Sequence, residues 1–506
     1  MRISRHLPIL AVALLVSPAM AQNYDLPIRQ HVFDNGLRLL IIERPGEHRV
    51  ASKIFTDMGA LNETPGQFGA AHFLEHLMFK GTPTLGSTDW QREEALHEQI
   101  RAAEDALIDE LNRSRNDLRQ RGVFHDYQHS ETTPRIEELR VLIDSLNRQA
   151  QELSEEGPLS VWYMAYGGTG LTATTEQEYM KFDIDLSVDR VELFLRIEAD
   201  RMRNSVFSNF DAERMVLVEQ RLGDLNRAET EFREAMNSLV GRASMVYVPE
   251  GYANDFNQYT RRYQRELYET YFVPNNTTLI FIGGVTLDDM IPMVDKYFGH
   301  MERRAEPARY EGREPLPSAE KRLSWRSNTL APRVEIRFQI PGVGHPDRPR
   351  FDVLAEAFED PLQSAVAAAG VEGTVDINTR VVHTSRFGVP ASINIELVLK
   401  DASQIAQAEA ALLGELQRLG KETLPADMVD QARKHLRIEW YRTAVDPSSL
   451  AFQIGHFETM DSWRTLQPYL EARDETTEDD LRQLAGKYFI ANNRSIGIVL
   501  PEEAQP

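Results

Sequence analysis

A chain of 506 residues is long enough for two or three domains, each with its own core. Its formal net charge of −22 argues against nucleic acid as a partner, because a phosphate backbone would be repelled. The absence of cysteine excludes thiol catalysis and a Cys-rich zinc site, and suits an oxidising compartment where nothing can mispair.

Residues 1–21 read as a secretory signal peptide. Arg2 and Arg5 precede an apolar run from Leu7 to Val16, and Ala19-Met20-Ala21 offers a small-residue cleavage site. That run is too short to span a membrane, and no later stretch is long enough. The expectation is a soluble, exported protein, periplasmic in a Gram-negative host. Next, HVFDNGLRLLIIE alternates apolar and polar residues around Asn35-Gly36, which predicts a β-hairpin.

The stretch His72-Phe73-Leu74-Glu75-His76 is the most informative in the chain. Its two histidines are four residues apart, so on a helix they stack on one face and can share a metal ion. Glu75 projects from the same turn and can take a proton from water. H-x-x-E-H is the inverted form of the H-E-x-x-H zinc motif. Gly66 and Gly69 lead into the helix, and Gly81 sits where it should end. From about residue 89 to 156 the chain is charged, with apolar residues at three- and four-residue spacing, and Thr133-Pro134 opens the second run. This predicts a helical hairpin projecting from the first domain.

Two later segments look like copies: LYETYFVPNNTTLIFIGGV from Leu267 and LAGKYFIANNRSIGIVLPE from Leu484. Both run from a helix end through Tyr-Phe and Asn-Asn into an apolar strand, so a duplicated α+β domain is expected. The reading is a first domain over 22–305 (insertion at about 89–156), a Pro- and charge-rich linker over 306–325, and a homologous second domain over 326–506. No phosphate-binding glycine loop or G-x-S-x-G nucleophile motif occurs.

The block from residue 59 to 82, GALNETPGQFGAAHFLEHLMFKGT, together with the preceding hairpin, closely resembles the start of the pitrilysin/insulinase (inverzincin) zinc metallopeptidases, which include mitochondrial processing peptidase. The resemblance implies two similar α+β domains, each an antiparallel sheet with packed helices, facing each other across a substrate chamber. It implies one Zn²⁺ per chain on His72 and His76, with Glu75 as general base and peptides or unfolded segments as substrate. In the family the third ligand is a Glu seven residues after the Glu of a Glu-Arg pair. Glu213-Arg214 matches that pair, so Glu213 would back the site, but the ligand position holds Gln220. Glu219 is the possible substitute, though it lies about 100° around the helix. The family's substrate-pairing strand usually reads Asn-Ala-x-Thr, and here Thr172, Ala173 and Thr175 take those places.

Family members that work alone also carry an Arg and a Tyr in the second domain. The corresponding segment, 358 to 380, offers Gln363, Ser364 and Gly373, with Arg380 nearby but out of place. The chain therefore reads as a zinc metalloendopeptidase, or as the zinc-helix partner of an Arg/Tyr-bearing homologue, or as a homodimer. The alternative is a degenerate chamber subunit that binds peptides without cleaving them. A metal-independent binding protein is the third reading.

Overall fold

The computed structural model describes residues 24–123, 132–155, 157–240, 248–309, 317–378 and 391–502. The expected signal peptide and Arg380 lie outside the described residues. The Asn35-Gly36 turn forms as its sequence dictates. Asn35 Oδ1 accepts the Leu37 amide at 3.1 Å, and β1 (Arg29–Val32) folds back antiparallel on β2 (Arg38–Glu43). Along the first half follow β3 (Arg49–Thr56), α1 (Ala70–Leu77), α2 (Trp90–Gln120), α3 (Pro134–Gln151), β4 (Thr169–Thr175) and β5 (Met180–Ser187). Then come α4 (Phe210–Leu225), α5 (Ala228–Val240), α6 (Arg261–Tyr271) and β6 (Thr277–Gly283).

The second half supplies β7 (Lys321–Arg326), β8 (Arg333–Ile340), α7 (Arg348–Ala368), β9 (Gly373–Asn378), β10 (Ala391–Leu399), α8 (Pro447–Met460), α9 (Glu478–Tyr488) and β11 (Arg494–Leu500). Further helices pack around these elements, and β7 begins inside the stretch expected as a linker. Among the described residues no helix is long and apolar enough to cross a membrane.

The architecture is α+β with two sheets, ordered β1-β2-β6-β3-β5-β4 and β7-β11-β8-β10-β9. Apart from β1 the two orders are the same. Both sheets are antiparallel except for one pair each, β2/β6 and β7/β11. The cause is topological: β6 inserts between β2 and β3 and runs antiparallel to β3, which leaves it parallel to β2. The twin Asn-Asn segments explain why both copies fold alike. Asn276 Nδ2 donates to the Tyr271 carbonyl at 3.0 Å and to Asp57 O at 3.1 Å. Asn493 Nδ2 donates to the Tyr488 carbonyl and to Gln339 O, both at 2.8 Å. In each half one carboxamide ties a helix end to the end of the neighbouring strand.

Every residue of β6 and β8 is buried, as expected for strands covered on both faces. One face of each sheet is covered by helices of its own half, and the other by a helix from the opposite half. α8 lays Leu450, Ala451, Ile454 and Phe457 on Leu40, Phe55 and Ile280 of the first sheet. Reciprocally, Phe232 and Met236 of α5 pack on Val499 of the second sheet. A glycine stands at each crossing: a Cβ on Gly455 would meet the Phe55 ring at 2.1 Å, and one on Gly497 would meet Met236 Sδ at 2.3 Å. Polar bonds close the seam, including Lys53 Nζ to Ser448 Oγ at 3.0 Å and Arg337 Nη1 to Asn237 Oδ1 at 2.6 Å. Gly455→Ala should cost about 1–3 kcal/mol by overpacking. Thermal unfolding should show a single, lower transition, and an unchanged melting temperature would show that the α8 contact is not close.

Candidate active site

α1 is an eight-residue helix, too short to hold itself together, and its surroundings fix it. Phe73 stacks on Tyr259 with centroids 5.2 Å apart and meets the Phe210 ring edge-on at 4.8 Å. Its N-terminus is held by Glu63, whose Oε2 accepts the Gly69 amide at 2.8 Å and whose Oε1 accepts the Ala71 amide at 2.7 Å. A carboxylate there also complements the helix dipole. Burial pushes the Glu63 carboxyl well above the ordinary range, and the two amides oppose this. Gly69 enters the helix at φ 92°, a conformation that costs other residues steric strain.

This packing buries Ala70, Ala71, Phe73, Leu74 and Leu77 and leaves His72 and His76 half-buried on one face. Their rings meet edge to face with centroids 4.8 Å apart. Burial, then the neighbouring His76, lowers the His72 pKa to about 4, so at neutral pH it is an uncharged imidazole. His76 Nδ1 lies 3.2 Å from Glu213 Oε2, and Lys80 Nζ lies 2.5 Å from Glu213 Oε1. Burial alone would raise Glu213, but His76 and Lys80 outweigh it and hold the carboxyl low. A proton on Nδ1 donated to Glu213 leaves the His76 Nε2 lone pair free, an arrangement common to metal-binding histidines.

Glu75 is buried beside them. Thr175 Oγ1 donates to Glu75 Oε2 at 2.5 Å. Burial raises the Glu75 pKa against that hydrogen bond and the charges of His76, Lys181 and Arg201. Thr175 belongs to β4, the last strand of the first sheet, whose outer edge carries no strand among the described residues. On β4, Thr172 is exposed and Ala173 half-buried. Thr175 thus sets β4, the strand that also carries Thr172 and Ala173, beside Glu75.

Gln220 and Glu219 are both exposed on α4, and among the described residues neither makes a hydrogen bond or ion pair. No group of three or more His, Cys, Asp or Glu side chains able to hold a metal occurs among the described residues. The chemistry of the donors still fits one ion at two points: two imidazoles, one braced by a carboxylate, suit Zn²⁺. Gln220 could add only a neutral carboxamide, a weaker ligand than carboxylate.

In the second half, Gln363 is committed to the backbone of β9. Its Nε2 donates to Gly373 O at 3.2 Å, and its Oε1 accepts the Val375 amide at 2.9 Å. Ser364 is exposed, and residues 358–378 contain neither Arg nor Tyr. Sequence reasoning missed the capping role of Glu63 and the support that Lys80 gives Glu213. Lys80 was readable, one turn after His76. Glu63 was not, because its contact depends on how the intervening loop folds.

The two-sheet α+β fold with an H-x-x-E-H helix beside a free edge strand defines a metallopeptidase-type scaffold. Residues 38–101 match the family model "Insulinase (Peptidase family M16)", and residues 259–436 match "Peptidase M16 inactive domain". Both stretches therefore match models of the pitrilysin/insulinase family. It is similar to the zinc protease YmxG of Bacillus subtilis at 39% identity over 62 residues, 12% of this chain and only 15% of that protein. A protease structure from Helicobacter pylori superposes with a TM-score of 0.73 at 15% identity, covering 94% of this chain and 100% of the other. The periplasmic protease PqqL of Escherichia coli superposes with a TM-score of 0.67 at 15% identity, over 94% of this chain and 48% of PqqL. These structural likenesses concern the fold.

Glu63→Ala would leave two buried amides without an acceptor. It should lower stability by about 1–3 kcal/mol, the usual cost of leaving a buried donor unsatisfied. Urea unfolding would measure the loss, and a midpoint within error of the parent would remove Glu63 from this role.

Proposed function

We propose that this chain is an exported half of a two-half zinc metallopeptidase that hydrolyses peptides or unfolded segments. The observation that carries the reading is the hydrogen bond from Thr175 to Glu75, which sets the carboxylate of the H-x-x-E-H helix against the free edge of β4. An extended peptide added to that edge by strand pairing would run past Thr172 and Ala173 and bring its backbone to Glu75. Thr175 fixes Oε2 of Glu75, leaving Oε1 to take a proton from the attacking water and pass it to the leaving amine. His72 and His76 would hold Zn²⁺, with Gln220 as a neutral third donor. The metal, when bound, supplies Lewis-acid polarisation of the scissile carbonyl.

The match to about half of PqqL, at 48% of its length, supports a half-enzyme. So does the lack of Arg and Tyr in residues 358–378, which leaves oxyanion stabilisation to a homologous partner or a second copy. Export to the periplasm fits residues 1–21 and the compartment named for PqqL. A second reading, a non-catalytic chamber subunit that binds peptides, is favoured by Gln220.

Glu75→Gln should lower peptide turnover by about 10²–10⁴-fold, the usual contribution of a general base. Zinc content should stay the same, as read by elemental analysis after desalting. Turnover equal to the parent's would overturn the assignment of Glu75. Gln220→Glu should tighten zinc binding in a chelator competition, and an unchanged affinity would show that position 220 is not at the metal. A parent chain with no turnover, alone or with an Arg/Tyr-bearing homologue, would establish the second reading.

A further inference from the structure

The α2–α3 hairpin lies against the body of the first half. Ser154 and Ser208 hydroxyls both donate to Glu93 Oε1, at 2.8 and 2.5 Å, and Arg261 Nη2 donates to Asn147 Oδ1 at 2.9 Å. Between hairpin and body remains a cavity of about 860 Å³. That is within the range of sites for small organic ligands, about 300–1,000 Å³.

Its charge runs against that of the chain. In a protein of net charge −22, five guanidinium groups and three carboxylates line this cavity. Each carboxylate already has a partner: Asp144 with Arg148 at 3.0 Å, Asp211 with Arg214 at 2.8 Å, and Glu104 with Arg261 at 3.4 Å. Arg115 and Arg140 remain, and among the described residues neither forms an ion pair. Arg115 Nε is buried without a hydrogen-bond partner.

Two further features narrow the ligand. Leu107, Ile108 and Leu111 of α2 and Ile143 of α3 are half-buried and line the cavity as an apolar wall. On the body side, Gln67 Nε2 donates to Gln258 O at 3.0 Å, which fixes the amide and leaves Gln67 Oε1 a buried acceptor with no donor. The cavity thus offers two cations without a carboxylate partner (Arg115 Nη1 donates only to Asn112 Oδ1, at 3.4 Å), an apolar wall and an acceptor for an N–H group. A second cavity of about 510 Å³ has Gln67, Arg115 and Gln258 in its lining as well.

We propose that this cavity binds the C-terminal residue of a peptide when that residue has an apolar side chain and a free carboxylate. Arg115 and Arg140 hold the carboxylate, the α2–α3 wall holds the side chain, and Gln67 Oε1 accepts a backbone N–H. The assignment does not require hydrolysis, so it stands or falls apart from the catalytic reading.

The test is fluorescence anisotropy on the chain carrying Glu75→Gln, in which any peptide cleavage is slowed. The probe is Gly-Ser-Gly-Ser-Leu labelled at its N-terminus, compared with its C-terminal amide. The free acid should bind, and amidation, Arg115→Gln and Arg140→Gln should each weaken binding at least tenfold. Circular dichroism melts should show that both variants stay folded. Equal binding of the amide, no effect of either arginine, or no binding of the acid would overturn the proposal. Octanoate competing as well as the unlabelled peptide would also overturn it, in favour of a simple acyl anion.

Discussion

Each sheet has two apolar faces, and each half of the chain has helices for only one of them. That shortage governs the rest of the structure. Two sheets with one bare face each would be unstable in water, since burial of apolar area is the main force available. The solution is exchange: α8 crosses to the first sheet and α5 to the second. Because the exchange is reciprocal, neither half can swing away without exposing an apolar face on both sides. The glycines at the crossings, Gly455 and Gly497, let helix and strand approach more closely than any side chain would permit. The first sheet is thereby held rigid, and β4, at its edge, holds a fixed place beside α1.

On that platform α1 is surrounded by carboxylates, and each already has a task. Glu63 holds the helix N-terminus, Glu213 is shared between His76 and Lys80, and Glu75 is held by Thr175. None is free to take the place of a third anionic metal ligand without undoing something else. Drawing Glu213 toward an ion would release His76, and drawing Glu75 would break its bond to Thr175. Gln220 on α4, being a neutral amide, cannot supply an anionic donor either.

Much of this was legible in the sequence, for reasons that differ by element. The Asn35-Gly36 hairpin and the α1 helix follow from local pattern, as do the twin Asn-Asn segments, whose carboxamides make the same pair of bonds in both halves. The exchange of α5 and α8 was not legible. Either helix could have covered its own sheet, and the choice is made by tertiary packing that no local pattern records. The α2–α3 hairpin was readable as two helices but not in its placement: it was expected to project, and Arg261, Asn147 and Glu93 dock it against the body instead.

That docking has a mechanical consequence for the site. Asn147 of the hairpin bonds to Asp211, one residue from Phe210, whose ring packs on Phe73 of α1. Arg261, which reaches from the first turn of α6 to Asn147, also stacks over the Phe210 ring at 4.6 Å. The hairpin, the start of α4 and the histidine helix therefore meet at one aromatic ring. Since a packed core passes a displacement on rather than absorbing it, a shift of the hairpin at Asn147 would be felt at Phe73. Phe73 immediately follows His72 and lies two residues before Glu75. The hairpin is joined to the site through this contact, whatever else it does.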